Sequence, residues 1–139
     1  MSTFAAIKDG VKQHQTAIAF VRTSRSQRNY DKCVASLQRK GLTVADKILA
    51  SWVYGKDGEP VDFMLMPNEY PYDLPRGVKQ YVLWYLTHAS DSEIDGALRK
   101  RFAGCNITWF HSKKRTQSVP EIPHVHILLE KCTKNELKQ

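Results

Sequence analysis

The chain has 139 residues, is 42% hydrophobic and 25% charged, and carries a formal charge of +7. That balance excludes a wholly disordered chain, and 7 glycines and 6 prolines are too few for a fibrous one. The length can bury one core and is short for two ordinary domains, so one domain over residues 1–132 is expected, with a flexible tail over 133–139.

In chain order, Ser2 or Thr3 can cap a first helix with Phe4, Ile7 and Val11 at helical spacing. The basic, hydroxyl-rich break from Arg22 to Arg28 contains Ser24 and Ser26, either of which can cap the next helix. Tyr30, Cys33, Val34 and Leu37 trace its apolar stripe, and Gly41 ends it behind Arg39 and Lys40. Thr43, with Asp46 three positions later, opens a third helix carrying Val44, Ile48 and Trp52.

After Trp52 the pattern changes. Val61 to Met66 reads as a strand, and the proline-rich stretch from Pro67 to Gly77 as a loop. Val78 to Thr87 reads as a central strand. Asp91 or Ser92 starts a further helix with Ile94, Leu98 and Phe102 on one side. Ile107 to Phe110 and His124 to Glu130 are the last strands, separated by a polar connection. In the final strand Val125, Ile127 and Leu129 point one way, and His124, His126 and Leu128 the other. The fold class expected is α+β: N-terminal helices packed on one face of a mainly antiparallel sheet of about four strands, with one further helix.

The basic surplus biases encounters toward nucleic acid, nucleotides or acidic protein faces. Three cysteines at wide spacing argue against a disulfide framework and for a reducing compartment, with Cys105 packing in the interior. The start Met1-Ser2-Thr3-Phe4 has neither a basic opening nor a long apolar run, and the apolar patch from Tyr81 to Leu86 is too short to span a bilayer. A membrane partner is therefore not expected, and the location expected is intracellular, cytoplasmic or nuclear.

Several local patterns, taken in order, resemble a domain family of unknown function that includes the fungal N-acetylglucosamine-induced proteins, with relatives in large DNA viruses. They are Phe20-Val21-Arg22-Thr23 with Tyr30, Asn68-Glu69-Tyr70-Pro71-Tyr72, Gly77 to Trp84, Trp109-Phe110, Gln117-Ser118-Val119, and Pro123-His124-Val125-His126. The chain departs from the pattern at Gln80, where the family often has histidine, and near Ser112, where it often has asparagine. The resemblance implies one intact domain and adds a virion as a further location; it supplies no established reaction, and any cofactor stays open.

His124 and His126 are the candidate catalytic pair, since period two puts both imidazoles on one strand face. That face looks onto solvent, a cleft or a helix. The alternative is two half-buried histidines bonding to the loop that carries Pro120 and Pro123. A metal site needs a third ligand, for which His111 is a weak candidate. Asn68, Tyr70, Tyr72, Arg115, Gln117 and Ser118 are the candidate ligand-binding residues, with Arg115 clamping an anion and Ser118 donating to it. Arg22, Arg25 and Arg28, at spacing three, and Lys113 and Lys114 are candidates for nucleic-acid contact. The leading expectation is a small basic domain binding a phosphate-bearing ligand, nucleic acid or a nucleotide among them. The alternatives are a histidine-dependent hydrolase or phosphotransfer enzyme, and a non-catalytic viral structural or interaction protein with a protein partner.

Overall fold

A computed structural model of the chain describes residues 22–54, 57–59, 61–70, 72–86, 89–111 and 122–132. The elements are α1 (Ser24–Arg39), α2 (Val44–Ala50), β1 (Phe63–Pro67), β2 (Lys79–Tyr85), α3 (Asp91–Arg101), β3 (Asn106–Phe110) and β4 (His124–Glu130). The expected helix near Phe4 and the expected tail lie outside the described residues.

Local chemistry sets the helix ends. The hydroxyl of Thr23, one residue before the expected serine, accepts from the Ser26 amide and caps α1. At the other end Gly41 adopts φ +72°. The Gly41 amide donates to the Gln38 carbonyl and the Leu42 amide to the Leu37 carbonyl. This pair of bonds satisfies two orphan carbonyls, and the left-handed backbone it needs is open to glycine at little cost. Thr43 and Asp46 form a reciprocal capping box at α2, and Ser90 and Glu93 form another at α3. α3 thus starts at Asp91, one of the two starts expected, with Ser90 as its cap.

The sheet order is β1-β2-β4-β3, with every neighbouring pair antiparallel. β4 pairs with β2 on one side and β3 on the other, so the last strand is central, and the expected alternation becomes burial on both faces. On one face Leu83, Val125, Ile127 and Leu129 pack with Ile94, Leu98 and Phe102 of the α3 region. On the other, Met64, Val82 and Trp84 pack with Ala45, Ile48, Trp52 and Ile122. The α+β architecture is as expected, except that the helices cover both faces. The sequence between β2 and β3 holds α3, which buries the aliphatic side of β4 and leaves the histidine side to the N-terminal helices.

The cysteine reading needs correction. Cys105 and Cys132 form a disulfide with Cα atoms 4.1 Å apart, while Cys33 is a free thiol. The register Asn106↔Glu130 brings the chain just before β3 alongside the chain just after β4. Spacing in sequence carries no information about that proximity. Alkylation of the folded, then denatured protein without reductant should label Cys33 alone; label on Cys105 or Cys132 would remove the crosslink.

Ile127 has no exposed surface and sits in the central strand. Replacing Ile127 with Ala should cost about 2–5 kcal/mol in urea unfolding. Thr43→Ala, which removes one helix cap, should cost about 1 kcal/mol.

Candidate functional site

The register places His124 opposite Trp84, and His126 opposite Val82 on one side and Phe110 on the other. Both imidazoles therefore lie on the sheet face beneath α2. They are 7% and 8% exposed. Their ring centroids are 5.4 Å apart in a T-shaped arrangement. The His124 ring lies 4.4 Å from that of Trp84. The rings of Tyr72 and Phe110 lie 5.6 and 5.5 Å from that of His126.

Hydrogen bonds assign the tautomers. Nδ1–H of His124 donates to the Ile122 carbonyl at 2.8 Å, which leaves a lone pair on Nε2. Gln80, buried on the same face, accepts from the Tyr72 amide through Oε1 at 2.9 Å. Its amide nitrogen is thereby turned toward Nδ1 of His126 at 3.4 Å, which puts the His126 proton on Nε2. The neutral pair offers one acceptor and one donor.

Burial keeps the pair neutral. Loss of solvation holds His126 down to about 3, and the nearby His124 and Arg22 act in the same direction. Burial also lowers His124, and His111 adds to that, against the pull of the Ile122 carbonyl.

These histidines form part of the floor of a cavity of about 70 Å³, together with Val82 and Trp84. Trp84 is 6% exposed, and its indole N–H has no hydrogen-bond partner among the described residues. An orphaned donor of this kind costs free energy unless something accepts from it.

The wall comes from the start of α1, from α2 and from the loop after β1. Arg22 pairs with Tyr72 in an isolated antiparallel bridge, donates from Nε to the Tyr70 carbonyl at 3.1 Å, and stacks 4.2 Å from the Tyr30 ring centroid. The Asn68 side chain accepts from the Tyr70 amide at 2.8 Å and shapes the loop. Lys47 donates to Glu69 at 3.1 Å, to the Tyr70 hydroxyl at 3.4 Å and to the Cys33 sulfur at 3.6 Å. Partial burial disfavours its charge, but Glu69 and Tyr70 outweigh that and hold Lys47 above the usual lysine range. Burial and the Cys33 contact push the Tyr70 hydroxyl up, against the opposing effect of Lys47.

Of the residues singled out from sequence, the cavity brings together Arg22, Asn68, Tyr70, His124 and His126. Tyr72 packs behind His126 without lining it. Arg25 and Arg28 are exposed on α1 and separate from Arg22, which precedes the helix. Lys113, Lys114, Arg115, Gln117 and Ser118 lie outside the described residues. His111 pairs with Asp91 at 2.9 Å, at the start of α3. Among the described residues no group of three His, Cys, Asp or Glu side chains is arranged to hold a metal ion.

Sequence reasoning missed Lys47, Gln80 and the role of Trp84. Lys47 lies one residue after the capping aspartate, a position that reads as solvated helix surface. Gln80 stands out in the sequence only as a departure from a family pattern, and Trp84 lies inside an apolar strand run that carries no sign of a polar role.

A family model described as "Protein of unknown function (DUF3605)" matches residues 3–130. The chain belongs to that family. A search of curated proteins found no significant match. The crystal structure of HTC1 is similar to this chain, with a TM-score of 0.64 and 22% identity over 97% of this chain and 90% of that one. At that identity the likeness concerns the fold alone. No helix among the described residues of this DUF3605 member is long and apolar enough to cross a membrane.

The histidines give stability a defined pH dependence. An unfolded histidine takes a proton near pH 6.5, whereas native His126 resists protonation until about 3. Between those values the unfolded state binds more protons, so stability should fall as pH drops from about 6.5 toward 3. His124, also lowered, acts in the same direction. Urea unfolding across pH 4.5 to 7.5 should show this acid limb, and His126→Gln should flatten it.

Proposed function

We propose that this protein binds a small phosphate-bearing ligand, whose anionic head enters the cavity beneath α2. The observation that carries this reading is the convergence on one cavity of Arg22, Lys47, the neutral histidine pair and the Trp84 indole, which has no partner among the described residues. Among the described residues the charged lining is two cations against the single carboxylate of Glu69, a balance that favours an anion. Arg22 uses Nε and Nη1 in its internal bonds, to Tyr70 and Gln27, and so retains guanidinium donors for a ligand. From the floor, Nε2–H of His126 and the Trp84 indole can donate to anionic oxygens. The Nε2 lone pair of His124 can accept from a protonated phosphate oxygen.

Size narrows the class. A cavity of about 70 Å³ is far below the several hundred Å³ of sites that enclose a drug-sized ligand. It suits a phosphate head, with the remainder of the molecule outside. The resemblance to proteins induced by N-acetylglucosamine makes amino-sugar phosphates the first compounds to try.

The same geometry bears on catalysis. A general base works best with a pKa near the operating pH, and His126 lies far below it. His124, oriented by the Ile122 carbonyl with Nε2 unprotonated, is the better candidate to take a proton. We assign His126 the role of donor.

Isothermal titration with inorganic phosphate, amino-sugar phosphates and mononucleotides tests the reading. At least one should bind, and Arg22→Gln should weaken it about 10- to 100-fold, the equivalent of one charge-assisted hydrogen bond. A flat panel, or unchanged affinity in Arg22→Gln, would overturn it. Turnover in the same panel that is lost in His124→Asn would make the site catalytic.

A further inference from the structure

The outer face of α1 carries a second positively charged feature, distinct from the cavity. Arg25, Arg28, Lys32 and Arg39 are all exposed. At 3.6 residues per turn they fall within an arc of about 60° and run about 21 Å along the helix axis. Arg22, which the sequence spacing grouped with Arg25 and Arg28, is not part of this row. It lies before the Thr23 cap and turns into the cavity wall. Lys32 and Arg39 take its place.

Helix stability does not account for the row. The first turn of α1 contains no acidic residue, and Arg25 stands there against the positive end of the helix dipole. Arg28 and Lys32 are like charges four residues apart, an arrangement that destabilises an isolated helix. Among the described residues none of the four is in an ion pair. The acid of α1, Asp31, lies on a flank of the helix and accepts from Gln27.

We infer that the exposed face of α1 is a nucleic-acid backbone interface, in which Arg25, Arg28, Lys32 and Arg39 contact successive phosphates. A polyanion offset by a row of this length gains from several contacts and from released counterions. A lipid surface fits less well, because a peripheral helix needs large apolar residues beside its cations. The positions interleaved with this row are Asn29, Ala35 and Ser36. Among the described residues the exposed large apolar side chains are Leu42, Leu49, Val53, Tyr54 and Leu86, none of them on α1. The contacts are to backbone phosphate, so the interface discriminates little between sequences.

The test is fluorescence anisotropy of the full chain with labelled 20-nucleotide single strands and 20-base-pair duplexes of two unrelated sequences, at 50 to 200 mM salt. Four phosphate contacts should make affinity fall about 50-fold for single strands, or about 150-fold for duplex, across that range. The two sequences should bind alike. Each single substitution to Gln should reduce the salt slope by about one contact. The variant with all four replaced should lose binding while keeping its circular dichroism and its affinity for phosphate in the cavity. That last readout separates this interface from the cavity reading. No binding at 50 mM salt, or full binding by the fourfold variant, would overturn the inference. So would tighter binding to vesicles of phosphatidylserine and phosphatidylcholine than to either nucleic acid.

Discussion

β4 is hydrogen-bonded on both edges and covered on both faces, and the site depends on that constraint. A strand in that position admits apolar side chains readily and polar ones only with partners. His124 and His126 are tolerated because each has an internal hydrogen bond that fixes one ring nitrogen. The environment that makes the sheet stable therefore also sets the protonation state of both imidazoles. Their chemistry is that of neutral donors and acceptors.

The two faces of the sheet divide the work. The α3 face is an aliphatic and aromatic core built around Ile94, Leu98, Val125, Ile127 and Leu129. The opposite face carries the apolar cluster around Ile48, Trp52 and Trp84, with the polar cavity beside it. The wall of that cavity is held by side chains far apart in sequence. Arg22 reaches Tyr70, and Lys47 reaches Cys33, Glu69 and Tyr70. A ligand that displaced Glu69 from Lys47 would exchange one exposed ion pair for another, a substitution with a small free-energy difference.

Charge is distributed in two ways. Inside, Arg22 and Lys47 are engaged by aromatic rings, a carbonyl and a carboxylate, so their fields are local. Outside, the cations of the α1 row have no such partners among the described residues and add their fields along one face. A net charge of +7 alone does not distinguish these two uses. The helix cap at Thr23 does, because it turns the chain and sends Arg22 inward while Arg25 starts the exposed row.

Much of the fold was legible in the sequence. Periodicity marked the four strands, α1 and α3, and local capping chemistry marked the start of α2 and the glycine stop after α1. These features arise from interactions within a few residues, so a linear pattern records them. The alternation in β4 likewise put His124 and His126 on one face. What lay beneath that face was decided by strand order and by which helices crossed which side. The cavity, the Gln80 to His126 contact, the Lys47 cluster and the Cys105–Cys132 link all join residues distant in the chain. Their proximity comes from sheet register and layer packing, which reward the sum of many long-range contacts and leave no local signature at any one residue.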